Sequence, residues 1–452
     1  MARKFRRADH EATLAKEIKI GDALPEDHLS RFVVEVIKLL DLSKFYAHYA
    51  ESGGMPYEPE LLLGVLVYGY ATGVFSSRGM EQATYERLPF RYIAGELHPD
   101  HDTINTFRST FLSEIKELFV QVLLMAQMMG YLKLGDISLD GTKIHADASK
   151  SKAVSYKRLQ ELEVQFGQEI DKLFALAEQM ADGPEGASAQ IDDEIQRREE
   201  RLAKLAAAKA VIEARAQERY EAEQADYDAK MAARQEKERR TGRKPGGRTP
   251  QPPSAGPRDK DQYNFTDPES RIMKNGNNAA FEQSYNGQAA VSHGNRFIVA
   301  NTLSNHPNDQ QEALPTIQAI PSALGRPHAA ALDNGYFSQD TVHDLAALGI
   351  EPYIAPGRQA HHPAWQSYLG HLPDPPDDDA PLTLKMAYKL QTAVGKAIYR
   401  LRKSTVEPVI GILKEVMGFR QFSLRGLVKA AGEWNLICLA YNFRRLHVMH
   451  TT

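Results

Sequence analysis

Apolar residues along this 452-residue chain fall into two rhythms. Over residues 28 to 130 they recur every three to four positions, as in Phe32, Val33, Val36, Ile37 and Leu40, then Leu61, Leu62, Val65, Leu66 and Tyr68. That is the spacing of helices with one buried face. Pro56 and Pro59 precede the second of them, a third spans Ser77 to Leu88, and a fourth opens after Pro99-Asp100-His101-Asp102-Thr103, with Asp102 or Thr103 as its cap. At Ile137-Ser138-Leu139-Asp140-Gly141 the rhythm changes to alternation, the mark of a short buried strand, and the glycine predicts that the backbone leaves the sheet just after Asp140.

From 153 to 238 Ala, Glu, Gln, Lys and Arg dominate. Leu159, Leu162, Phe166, Ile170 and Leu173 form one apolar stripe, Asp182-Gly183-Pro184-Glu185-Gly186 interrupts it, and a second helix from about Ile191 carries Ile195, Leu202, Leu205 and Ile212. The pattern predicts an antiparallel helical hairpin or coiled coil. Arg239 to Asp261, rich in Gly, Pro and basic residues, reads as a flexible basic linker that either grips DNA phosphates or only connects.

Strand and helix signals then alternate. Gln288 to Ser292 and Arg296 to Asn301 form a hairpin through His293-Gly294-Asn295, and a short helix runs from Gln310 to Ile320 after Asn308-Asp309. Ala329-Ala330-Ala331-Leu332-Asp333 is a second strand ending in an acid, followed by a helix from Gln339 to Leu348 and a strand at Glu351 to Ala355. Residues 356 to 384 read as an irregular loop, and helices return from Lys385, the last burying Trp434, Leu436, Ile437, Leu439 and Phe443.

Composition narrows the class. Apolar content of 42% and charged content of 25% are those of an ordinary globular protein. With no apolar run of membrane-span length and no apolar core behind the basic Arg3 to Arg7, a cytoplasmic protein is expected. The single Cys438 rules out an internal disulfide and reads as a core residue. A net charge of −4 is low for a nucleic-acid binder, but basic residues cluster at Arg3 to Arg7, Arg234 to Arg248 and Arg400 to Lys403.

Two strands ending in Asp140 and Asp333 bring two hard oxygen ligands together if the strands are neighbours, and a third acid must come from a helix. Glu407 is the candidate, on one stripe with Arg400, Lys403 and Lys414 of a continuous helix, although Pro408 favours a kink there. Three carboxylates suit Mg²⁺ or Mn²⁺, and two such ions about 3.5 to 4 Å apart activate an attacking oxygen and stabilise the leaving one in phosphodiester chemistry. In the fourth helix Asn105, Arg108 and Ser109 share a polar face, which suits a helix-turn-helix DNA reader and equally a plain helical bundle. His98 and His101, set among Asp100 and Asp102, read as a solvated turn and helix cap more than as metal ligands, and His361-His362 with Asp374 to Asp379 as a solvated loop.

Leu139-Asp140-Gly141-Thr142-Lys143, Leu332-Asp333-Asn334-Gly335-Tyr336 and Tyr399 to Lys414 resemble the three signature blocks of DDE transposases of bacterial insertion sequences. The resemblance implies an α/β, overall α+β, fold: a ribonuclease H-like mixed sheet with flanking helices. An all-helical DNA-binding domain at 1–130 precedes it, the catalytic domain occupies 131–152 and 262–452, and the helical hairpin and linker at 153–261 interrupt it. It implies Asp140, Asp333 and Glu407 as a triad for two Mg²⁺ or Mn²⁺ ions, with Tyr399, Arg402 and Lys414 on DNA phosphates. The family's arginine stands four residues before the glutamate, where this chain has Lys403; Arg402 stands five before. The implied activity is metal-dependent cleavage and strand transfer at terminal inverted repeats, in a homodimer that also holds target DNA and associates with the nucleoid. A nuclease that cuts without joining, and a non-catalytic DNA-binding regulator derived from a transposase, are the alternatives.

Overall fold

A computed structural model describes residues 19–49, 55–179, 185–244, 246–247, 249–275, 280–357 and 374–452. Arg3 to Arg7, the turn at 182–184, Pro245, Arg248 and His361-His362 therefore lie outside the described residues. The chain divides into two compact units, residues 1–146 with 273–452, and residues 147–272. The helical N-terminal region and the sheet thus share one unit.

That unit begins with helices α1 (Leu29–Leu39), α2 (Ser43–Tyr46), α3 (Pro59–Ala71), α4 (Ser77–Glu86), α5 (Leu88–Ala94), α6 (His101–Thr110) and α7 (Leu112–Met128). Pro59 is the first residue of α3, where its missing N–H costs no hydrogen bond. The cap of α6 differs from the expectation: Asp100, in extended backbone, accepts from the Thr103 amide at 2.6 Å, so the helix starts at His101, ahead of the expected caps Asp102 and Thr103.

Strand β1 (Ile137–His145) follows, and strand β2 (Ala153–Ser155) opens the second unit. There α8 (Tyr156–Gln179) and α9 (Glu185–Thr241) pack antiparallel, with Leu159 beside Leu205, Ala208 and Ile212, and Ile170 beside Ile191 and Ile195. Helix α9 starts before the expected Ile191 because Glu185 to Gln190 continues it. Strand β3 (Gln262–Asn264) pairs antiparallel with β2 and closes the base of this hairpin. Part of the expected linker is tied down: Arg219 pairs with Asp261 at 2.9 Å, and Arg258 with Glu223 at 3.1 Å.

Strand β4 (Arg271–Lys274) leads back to the first unit, which continues with β5 (Phe281–Ser292), β6 (Ile298–Ser304), α10 (Ala313–Gln318), β7 (Ala329–Leu332), α11 (Gln339–Ala347) and β8 (Glu351–Ile354). It closes with α12 (Leu382–Gln391), α13 (Ala393–Leu401), α14 (Val406–Gly411) and α15 (Leu427–Thr451). The sheet order is β4-β5-β1-β7-β8, with β6 on β5; β1 runs antiparallel to β5 and parallel to β7, and β7 parallel to β8. Parallel strands need both faces covered, which explains why Ala329 to Leu332 is apolar throughout and buried. This is a ribonuclease H-like mixed sheet with flanking helices.

Helix α15 is the main cover. Trp434, Leu436, Ile437, Cys438, Leu439 and Phe443 are all fully buried, and the helix packs against β6, α3 and α7. Two of its buried polar groups bond backbone: Trp434 Nε1 donates to the Gln288 carbonyl at 3.0 Å, and the Asn442 amide bonds both the N–H and C=O of Ile298. Glu433 accepts from Tyr70, Ser423 and the Leu424 amide, and stands 3.9 Å from Arg108, whose guanidinium also bonds Tyr70, Ser423, the Phe75 carbonyl and Asn105. Among the described residues, no helix is long and apolar enough to cross a membrane.

Removing the Arg108 guanidinium strands a carboxylate in the interior, which costs about 3 to 5 kcal/mol for a buried pair. Arg108→Ala is expected to lower the melting temperature of the purified protein by several degrees, whereas Lys44→Ala, which removes an exposed surface pair with Glu117, leaves it unchanged. Melting followed by circular dichroism reads both.

Candidate active site

The parallel pairing of β1 with β7 ends at Leu139 opposite Leu332, and the next residues are Asp140 and Asp333. Asp140 is not at the end of its strand. β1 continues to His145 through its antiparallel pairing with β5, in which Gly141 lies opposite Gln288, so the expectation that the chain turns out at Gly141 is corrected. The acid still stands at an end in the sense that matters, because the parallel pairing with β7 stops just before it, at Leu139. Asp333 caps the single turn Asn334–Tyr336 that follows β7, its Oδ1 accepting from the Gly335 amide at 2.7 Å.

The third acid arrives on a broken helix. Helix α13 stops at Leu401, a tight 3₁₀ turn covers Arg402 to Ser404, Thr405 leaves helical geometry at φ −117° and ψ −81°, and α14 restarts at Val406. Pro408 falls in the first turn of α14, where no N–H is needed, so it begins a helix and does not kink one. The continuous stripe of Arg400, Lys403, Glu407 and Lys414 is therefore absent. The break brings Arg402 to the acids: its Nη2 lies 3.0 Å from Glu407 Oε1, and its Nη1 3.3 Å from Asp140 Oδ2. Lys403 is exposed on the outside of the turn. Residues separated widely in sequence, Asp140 and Glu407, thus flank one guanidinium, which also lies over the Tyr399 ring at 5.8 Å.

Beyond α14 the helix widens into a π turn, Ile412–Val416. From it Lys414 reaches back to β1 and donates to Thr142 Oγ1 at 3.0 Å, the Lys143 carbonyl at 3.3 Å and Asn275 at 3.3 Å. Burial lowers its pKa. Burial also pushes Asp140 up to about 7; Arg402 opposes that rise, while the neighbouring carboxylates of Asp333 and Glu407 add to it.

Other candidates are engaged elsewhere. Arg108, expected on a DNA-reading face, is buried at 3% exposure in the Glu433 cluster, and the exposed Asn105 accepts from Arg108 through its Oδ1. His98 stacks on Tyr85 with ring centroids 3.8 Å apart, and His101 pairs with Glu81 at 2.8 Å. Asp309, which the sequence marked only as a helix start, lies beside the site: its Oδ1 accepts from Lys143 at 3.1 Å, Asn286 at 2.7 Å and Gln288 at 2.9 Å. No spacing rule connects residue 309 to these strands, so only the three-dimensional packing exposes it.

The Transposase domain (DUF772) family matches residues 18–110, and the Transposase DDE domain family matches residues 228–443. The chain belongs to the DDE transposases of insertion-sequence type. The second match holds Asp333, Glu407 and Lys414, whereas Asp140 lies between the two matches, on the strand that pairs with β5 and β7. No curated protein and no solved structure matches this transposase.

The pH response of the site has a definite sign. With its folded pKa raised above the ordinary 3.8, protonated Asp140 adds stability that is fully present below about pH 4 and is lost as pH rises through about 7. The metal-free transposase is expected to lose melting temperature relative to Asp140→Asn between pH 4 and pH 7, read by paired thermal melts across that range.

Proposed function

We propose that this DNA transposase binds the terminal inverted repeats of its element and carries out metal-dependent cleavage and strand transfer there, with Asp140, Asp333 and Glu407 as the metal-binding triad. The observation that supports the reading most is the meeting of Asp140 with Asp333 across the parallel strand pair while Arg402 reaches Asp140 and Glu407 together.

The donor set fits Mg²⁺ or Mn²⁺: three carboxylates are hard oxygen ligands, and Asp140, whose pKa is raised first by burial and further by the carboxylates of Asp333 and Glu407, gains from a cation beside it. Among the described residues no group of three or more His, Cys, Asp and Glu is arranged to hold a metal ion. Arg402 stands between Asp140 and Glu407, its guanidinium pairing with both. When bound, two such ions would activate the attacking oxygen and stabilise the leaving one.

The chain's own groups do the rest. Asp140 on β1 and Asp333 just past the end of β7 accept backbone hydrogen bonds from Gly141 and Gly335, which hold them in place. Arg402, once released from the acids, offers a planar fork to a phosphate, and Tyr399 beneath it limits where the fork can swing. Lys414, anchored on Thr142, adds a cation on the strand next to Asp140. Lys403 is exposed toward solvent and suits a more distal phosphate. Arg108 is left out of the DNA contacts because it is buried in the Glu433 cluster, while Asn105 stays exposed beside it with its Oδ1 accepting from Arg108. Handling two element ends together calls for a homodimer in the active complex.

A duplex carrying the repeat end, incubated with Mg²⁺, tests the reading. Wild type is expected to nick and join it, while Asp140→Asn, Asp333→Asn and Glu407→Gln bind it and do neither. Cleavage by the variants at the wild-type rate would remove the triad; nicking with no joined product would favour a nuclease, and binding with no nicking a regulator. Arg402→Ala is expected to bind Mn²⁺ several-fold more tightly without DNA and yet to cleave more slowly, as calorimetry and the same duplex would reveal.

A further inference from the structure

The sheet carries a buried polar layer that neither the triad nor the DNA contacts use. Asn286 and Gln288 lie on β5 with no exposed surface, opposite Lys143 and Gly141 of β1. Buried amides need partners, and one oxygen supplies them: Asp309 Oδ1 accepts from both amides and from the Lys143 ammonium. Gln288 passes the connection on, its Oε1 accepting from the hydroxyl of Tyr336, which is fully buried and ends the turn capped by Asp333. One carboxylate from the loop after β6 therefore ties β1, β5 and the turn after β7 together.

The two glycines beside the acids make room for it. A Cβ on Gly141 would stand 2.7 Å from Asp309 Oδ1 and 2.5 Å from Gln288 Nε2; real Cβ atoms do not approach that closely. A Cβ on Gly335 would meet Asp333 Oδ1 at 3.0 Å and Asp309 Oδ2 at 3.7 Å. Gly141, which makes no turn, is explained by this close approach of Asp309 and Gln288.

We propose that Asp309 is a positioning residue of the catalytic centre, holding the strand of Asp140 and the turn of Asp333 at the separation that metal binding requires. The proposal rests on the triad reading. The task falls to a single accepting oxygen, Asp309 Oδ1, which takes the donors of Lys143, Asn286 and Gln288 at once. Groups that orient ligands from behind typically account for about 10- to 100-fold in metal affinity.

The test is Mn²⁺ titration of the full-length protein, followed by electron paramagnetic resonance, with circular dichroism to confirm folding. Asp309→Ala is expected to weaken Mn²⁺ binding about tenfold or more. Asp309→Asn keeps an accepting oxygen for Asn286 and Gln288 and is expected to stay within about threefold of wild type. Tyr336→Phe removes only the link to Gln288 and is expected to weaken binding to an intermediate degree. Wild-type affinity in Asp309→Ala overturns the proposal, as does equal loss in Asp309→Asn and Asp309→Ala, which would make the charge itself a ligand. Should Asp309→Ala fail to fold, unchanged affinity in Tyr336→Phe overturns it. If wild type and Asp140→Asn bind Mn²⁺ alike, the triad falls and this proposal with it; if Asp140→Asn alone loses the ion, only Asp309 is misassigned.

Discussion

The parallel register of β1 on β7 is the constraint on which the site depends, because it sets Leu139 against Leu332 and so carries Asp140 and Asp333 side by side. A shift of either strand by one residue would turn one acid to the opposite face. The register is guarded from both faces of the sheet. Apolar packing buries Ile137, Leu139 and all of β7, and α15 is fastened to β5 and β6 by Trp434 and Asn442. The N-terminal helices contribute through α15, whose buried Glu433 is held by Tyr70 and Arg108.

Onto that frame the chain brings a cation and an acid together from a helix that breaks where it must. Burial makes the charged form of Asp140 costly, and the neighbouring carboxylates of Asp333 and Glu407 add to that cost. Arg402 relieves it from within the protein. The same guanidinium that pairs with the acids is geometrically matched to phosphate. Basic residues local to the site, not the net charge of −4, carry this electrostatic role.

Much of this was legible in the sequence, for identifiable reasons. Alternating or continuous apolar runs marked β1, β7 and β8, and the three-to-four rhythm marked α1, α3 and both long helices of the hairpin. The part of β5 before Gln288 was hidden, because residues such as Gln283, Ser284 and Asn286 are polar yet buried, the Asn286 amide satisfied by an acid 20 or so residues away that no local rule connects. Gly141 was misread as a turn, since a glycine needed for close approach and a glycine needed for a turn look alike in sequence. Pro408 drew attention to a kink, but the interruption comes earlier, at Arg402 to Thr405, and it decides that Arg402, not Lys403, faces Glu407. Arg108 shows the converse error: a basic residue on a helix read as a DNA contact is an interior partner of Glu433.

The central claim, that Asp140, Asp333 and Glu407 form one metal centre from which Arg402 withdraws, is tested most directly by anomalous diffraction from crystals of the transposase grown with a repeat-end duplex and Mn²⁺. The account predicts anomalous peaks bounded by those three carboxylates, with the Arg402 guanidinium moved off Asp140 and Glu407 and onto a phosphate. Manganese bound elsewhere, or Arg402 still bridging the two acids with DNA and metal present, would contradict it.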